Sequence, residues 1–143
     1  MPKPDPTLLD PGRYPFRCEI QTRYSDLDTN RHLNNVALAG ILEDARVRFY
    51  AACGYYEATA GMATMVVSLA IEYLGQAYYP PPLDVHVAAH GFGRTSCSLI
   101  QLVTQEGRSI AFAQTTFVSV HEGRAIEIPP AFALAVQPYM LKR

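Results

Sequence analysis

Between Arg23 and Asn35 the chain gathers two carboxylates (Asp26, Asp28), an imidazole (His32) and three side-chain amides (Asn30, Asn34, Asn35). A carboxylate or an imidazole can attack an electrophilic carbon or take a proton from water. Amide and main-chain N–H groups can hold the oxyanion that forms on a carbonyl under attack. The same residue types also build Asx turns and helix caps. Composition alone leaves both readings open, and Asn34 or Asn35 suits a cap as well as a site.

The flanking elements decide where these groups point. From Phe16 the chain alternates strictly, with Phe16, Cys18, Ile20, Thr22 and Tyr24 on one side and Arg17, Glu19, Gln21 and Arg23 on the other. That is the period of a half-buried strand. If the strand ran through Asp26 and Asp28 they would share a face, and each would disfavour the other's ionisation. After the polar segment, Leu38, Leu42, Ala45, Phe49 and Ala52 recur at helical spacing, with Gly54 as a stop. Asp44 and Arg48 form an i,i+4 pair on this helix, and Glu43 and Arg46 predict an i,i+3 salt bridge. The unpaired N–H groups at such a helix start favour an anion.

The remainder reads as strand. Met65 to Tyr73 alternates, three prolines at 80–82 end any pairing, and further strands run from Val85 to Gly91, Thr95 to Thr104 and Ser109 to Val120. Gln105–Arg108 supplies a hairpin turn and His121–Arg124 another. A short helix is predicted after Pro129-Pro130. The order of one strand, one long helix and about four strands predicts an α+β domain over 16–143, an antiparallel sheet wrapped around a single helix. One helix leaves much apolar sheet to bury, so a homo-oligomer is expected. Residues 1–15 hold five prolines and read as an extended arm, disordered or packed across a neighbour.

Bulk properties narrow the classes. The chain has 143 residues, 49% hydrophobic and 17% charged, with a formal net charge of -1. It is globular in composition and lacks the basic excess of a nucleic-acid binder. No stretch is apolar and long enough for a membrane span. The N-terminus has no apolar signal core, so a cytoplasmic protein is expected. Three cysteines (Cys18, Cys53, Cys97) without ligand spacing predict reduced thiols and neither a disulfide framework nor a zinc site. His86 and His90 would lie about 13 Å apart on a strand at ~3.3 Å per residue, too far to chelate one metal. No Gly-x-Ser-x-Gly elbow is present. Tyrosines around Tyr55-Tyr56 and Tyr78-Tyr79 could line a pocket or simply pack.

The pattern Asp26-x-Asp28-x-Asn30-x-His32-x-Asn34-Asn35, followed by Glu43-Asp44-Ala45-Arg46, resembles the signature of the 4-hydroxybenzoyl-CoA thioesterase-like and acyl-ACP thioesterase families. The resemblance runs from about Phe16 to Pro130. It implies the hotdog fold and hydrolysis of an acyl-CoA or acyl-carrier-protein thioester, with no cofactor. By the same resemblance Asp28 is the catalytic carboxylate, as nucleophile or as general base, and Asn30 and His32 orient water or polarise the carbonyl. Many short members have glycine where Arg31 stands. Gly91-Phe92-Gly93-Arg94-Thr95-Ser96 resembles the segment that meets CoA phosphates, which makes Arg94, Ser96 and Asn35 substrate-binding candidates. Family sites lie between subunits, so Arg94 is expected to serve a neighbour in a homodimer or homotetramer. Two rivals remain: a dehydratase of 3-hydroxyacyl thioesters, and a non-catalytic acyl-CoA-binding module.

Overall fold

A computed structural model describes residues 3–59 and 62–143. Five strands form one antiparallel sheet: β1 (Phe16–Ile20), β2 (Ala63–Tyr73), β3 (Leu83–Phe92), β4 (Ser96–Gln105) and β5 (Arg108–His121), in spatial order β1-β3-β4-β5-β2. A sixth strand, β6 (Arg124–Ile126), pairs with β5. The alternation at the sequence level had marked only a turn there. The β4–β5 hairpin turns on Glu106 and Gly107, both at positive φ (50° and 79°). That pair of angles is the two-residue turn whose twist matches the strands it joins.

The long helix, α1 (Asn35–Ala52), lies across one face of the sheet. Asn34 caps it by accepting from the Val36 N–H at 2.7 Å, and Gly54 leaves it at φ 76°. Leu38, Ile41, Leu42, Ala45 and Phe49 are buried, whereas Ala52 is exposed, its carbonyl accepting from the Tyr139 hydroxyl at 3.1 Å. Facing them on the sheet are Val85, Val87, Cys97, Leu99, Val103, Ala113 and Phe117, which with the helix form the main core. Phe132 of the short helix α2 (Pro130–Ala135) closes one end of it.

A second, smaller cluster forms on the other face of the sheet. Ala88, Ile100, Leu102 and Phe112 are covered there by Tyr14, Leu8 and Leu9. Over its described part the N-terminal segment is therefore not extended but folds onto its own sheet. It makes two 3₁₀ turns, Pro6–Leu9 and Pro11–Arg13, each capped by an aspartate carboxylate (Asp5, Asp10). The C-terminus locks it: the Lys142 N–H donates to the Arg13 carbonyl, and Arg13 Nε donates to the Lys142 carbonyl, both at 2.8 Å. Met1 and Pro2 lie outside the described residues.

β1 stops sooner than its alternation suggests. Tyr24–Asp26 folds into a 3₁₀ turn that leaves Tyr24 76% exposed. The cause is Asp26, whose carboxylate accepts from the Arg23 N–H at 3.0 Å and from the Arg23 guanidinium at 2.8 Å. Asp26 and Asp28 therefore do not share a strand face. The predicted Glu43–Arg46 salt bridge is also absent among the described residues. Arg46 turns into the interior and donates to Gln101 Oε1 at 3.2 Å, while Glu43 stays in solvent.

Candidate active site

The polar segment closes into a small lobe at the N-terminus of α1. Leu27 and Leu33 pair as an isolated antiparallel bridge. The Asp28 N–H donates to the His32 carbonyl at 2.8 Å and the Arg31 N–H to the Asp28 carbonyl at 3.0 Å. This tight return needs a left-handed residue, and Arg31 takes that role at φ 62°. The lobe is pinned from two sides: the Asn34 N–H donates to the Asp26 carbonyl at 2.8 Å, and the Leu33 N–H to the Ala77 carbonyl at 2.9 Å.

Within the lobe, Asp28 Oδ1 accepts from the Asn30 N–H at 2.8 Å and the His32 N–H at 3.2 Å. Oδ2 carries no hydrogen bond among the described residues. The carboxylate is thus fixed by one oxygen and open at the other. Asp28, Asn30, His32, Asn35 and Leu38 line a 320 Å³ cleft together with Tyr73, Gly75, Gln76, Ala77 and Ile110. The first helical bond is Leu38 N–H to the Asn34 carbonyl. The Asn34 amide consumes the Val36 N–H, so the Asn35 and Ala37 N–H groups have no helical acceptor, as at any helix start.

A wider groove of 570 Å³ lies between α1 and β1, lined by Arg23, Asp26, Gly40, Asp44 and Arg48 among others. Its two carboxylates are already paired, Asp26 with Arg23 and Asp44 with Arg48. The Arg23 hydrogen bond holds the Asp26 carboxyl below the usual carboxylate range, against the opposing effect of its burial. Neither has an oxygen left open in the way Asp28 does.

Four of the six residues singled out in the sequence meet at the cleft: Asp28, Asn30, His32 and Asn35. Arg94 and Ser96 do not. Ser96 opens β4 and Arg94 lies two residues before it, whereas the other end of β4, Gln105, holds Tyr78 beside the cleft residue Ala77. A ten-residue strand at ~3.3 Å per residue puts them about 30 Å away. Arg94 is exposed and lies 3.6 Å from Glu127. Tyr73 and Gln76 carry no signal in the sequence, and Tyr78 stands there only among tyrosines that could line a pocket or pack. Tyr73 donates its hydroxyl to the Asn35 carbonyl at 3.4 Å, and the Tyr78 ring meets the His32 ring edge-on at 5.3 Å. The 38 residues between Asn35 and Tyr73, and the still longer span from His32 to Tyr78, hide these contacts from local patterns. Among the described residues no His, Cys, Asp and Glu cluster could hold a metal ion, and no helix is long and apolar enough to cross a membrane.

An antiparallel sheet curled around one helix, with a carboxylate-bearing loop at that helix's N-terminus, defines the hotdog class of α+β domains. Residues 22–136 match the model of the thioesterase-like superfamily, and the chain belongs to that family. Thioester hydrolysis is the class of reaction this membership supports. A thioesterase from Thermus thermophilus, solved with coenzyme A and Zn, is 26% identical, with a TM-score of 0.78 over 87% of this chain and 93% of its own. The PA5185 protein of Pseudomonas aeruginosa superposes with a TM-score of 0.81 at 21% identity, over 91% and 94% of the two chains. The SAV2348 protein of Staphylococcus aureus, solved in complex with CoA, gives 0.78 at 17% identity over 87% and 82%. At the last two identities the likeness is one of fold. Among curated protein sequences none matches this chain.

Proposed function

We propose that this chain hydrolyses acyl-CoA thioesters, with Asp28 as the catalytic carboxylate. The observation that carries this reading is the half-tethered state of Asp28. Two main-chain N–H groups orient Oδ1, and Oδ2 is left open at a cleft that ends on a helix N-terminus. A thioester carbonyl beside Asn35 would develop its oxyanion against unpaired N–H groups and the positive end of the helix. Asp28 attacks the carbonyl carbon or deprotonates the water that does so. The carbon–sulfur bond breaks and the thiolate takes a proton and leaves; where Asp28 itself attacks, water then hydrolyses the acyl–Asp28 anhydride, and on either course the free acid is released and the carboxylate restored. Asn30 holds the carbonyl oxygen, and His32 orients the water or carries the proton. CoA as the thiol is favoured by the CoA-bound relatives from Thermus and Staphylococcus.

Arg94, with Ser96, binds phosphate in the site of a second copy. β2 ends the sheet with its outer edge unpaired and exposes Met65, Val66, Val67, Leu69 and Tyr73. Antiparallel pairing of two such edges across a two-fold axis would bring the far end of one sheet towards the cleft of the other. A guanidinium there suits the planar geometry of phosphate.

The test is free-thiol release from short, long and aromatic acyl-CoAs by wild type and Asp28→Asn. Hydrolysis by wild type and none by Asp28→Asn, with an unchanged thermal midpoint, is the expected result. Wild-type turnover in Asp28→Asn removes the carboxylate from the mechanism. Loss of water from a 3-hydroxyacyl-CoA without thiol release would make the protein a dehydratase. Tight ester binding with no turnover would make it a binding module.

A further inference from the structure

The loop from Gly75 to Pro82 is exposed at Tyr78 and Tyr79, yet it is tied to the sheet at several points. Gln105, buried at the end of β4, holds Tyr78 by both of its main-chain groups. The Tyr78 N–H donates to Gln105 Oε1 at 2.9 Å, and Gln105 Nε2 donates to the Tyr78 carbonyl at 2.8 Å. Nε2 also donates to the Pro81 carbonyl at 2.8 Å. Arg108, just across the β4–β5 turn, sets its guanidinium carbon 5.8 Å from the centre of the Tyr78 ring and donates to the Gln76 carbonyl at 3.2 Å. A buried amide that spends both donors and its acceptor on one loop fixes that loop's path, because leaving them unmatched is costly.

The ring held in this way touches His32, with centroids 5.3 Å apart and planes at 79°. Among the described residues no hydrogen bond reaches the His32 ring; only its main chain is tied, to Asp28. An imidazole without a hydrogen-bonding partner takes its rotamer from packing, and an edge-to-face aromatic contact is directional.

We propose that Tyr78, clamped by Gln105 and backed by Arg108, is a positioning residue that sets the orientation of the His32 imidazole. Its kinetic consequence rests on the thioesterase reading; the contact itself does not. Tyr78 meets the active-site lobe from a segment that no local motif marks, and it acts only through His32.

The experiment compares Tyr78→Ala, Tyr78→Phe, His32→Ala and the Tyr78→Ala/His32→Ala double variant in the full chain. Tyr78→Ala is expected to lower kcat about tenfold at nearly constant KM, part of the effect of losing an acid–base partner outright. Tyr78→Phe, which keeps the ring, restores the rate. In the His32→Ala background Tyr78→Ala adds nothing, as two groups acting in series must behave. The side-chain NMR signals of His32, identified by their loss in His32→Ala, move in Tyr78→Ala and hold in Tyr78→Phe. Equal losses in both backgrounds, or His32 signals indifferent to Tyr78→Ala, overturn the proposal. If wild type releases no thiol but the His32 signals still shift, the positioning contact stands and the functional reading falls.

Discussion

Arg31 holds φ 62°, a conformation that glycine adopts freely and that costs other L-residues roughly 1–2 kcal/mol. Glycine is common at this place in the family the motif resembles, and the geometry explains why. The return of the lobe from Asn30 to His32 requires a left-handed residue. Arg31→Gly should therefore keep stability within about 1 kcal/mol, relief of strain offsetting the added freedom of the unfolded chain. Arg31→Val, branched at Cβ, should lower it by about 1–2 kcal/mol. Denaturant unfolding of the two variants measures this, and equal midpoints would mean the lobe does not depend on that φ. His32 belongs to the same scale. Its replacement by alanine should reduce kcat roughly 10²-fold if it serves as the proton carrier, and a wild-type rate would exclude it from that role.

At the scale of elements, the outer face of the sheet is sealed by the N-terminal turns. His86 of β3 lies beneath them, 6.2 Å from the Tyr14 ring, and its Nε2 lies 3.2 Å from Thr104 Oγ1. Burial pushes the imidazole below its ordinary value of 6.5; Asp84 opposes this and Arg17 adds to it. The folded chain thus keeps the ring neutral where the unfolded chain protonates it. Stability is at its full value above about pH 6.5 and declines as the pH falls from there towards the lowered folded value. His86→Gln, neutral throughout, should flatten the loss of thermal midpoint between about pH 7 and about pH 5. An unchanged slope would mean that the charge is accommodated under the arm.

For the whole molecule, the exposed side of β2 is the feature a lone chain explains least. An unpaired edge with several apolar side chains invites another strand. Sedimentation should find wild type as a dimer or a larger even assembly. Met65→Lys with Val67→Lys should give a folded monomer, since edge lysines oppose strand addition. If Arg94 completes the neighbouring site, Asp28→Asn and Arg94→Glu copies should each be impaired alone. Mixed and reassembled, they should regain activity in about a quarter of sites, the fraction that pairs two intact halves under two-fold symmetry. No recovery would confine Arg94 to the surface pair with Glu127.

Local order in this protein was written in local patterns. Alternation located the strands, a three-and-four spacing located α1 from Asn35 to the Gly54 stop, and Asp28-x-Asn30-x-His32 marked the lobe. Each of these depends on neighbours a few residues apart, where backbone periodicity rules. The family signature in that lobe agreed with the superfamily match over 22–136. Most of the failures share one cause, contacts made at long range. Arg46 left Glu43 for Gln101 on β4, because burial offered an amide partner 55 residues away. β1 ended early for a local reason that alternation does not register: Asp26 binds Arg23 three residues back and turns the chain. Residues 3–15 folded back on their own sheet, where Ile100, Leu102 and Phe112 needed a cover. Tyr73 and Gln76 reached the cleft, and Tyr78 the His32 ring, only because sheet order sets the end of β2 beside the N-terminus of α1. Composition and periodicity determined which residues are apolar, helical or able to do chemistry. Which of them meet was decided by the closing of the sheet around the helix, since side chains far apart in the chain are brought together only by tertiary packing.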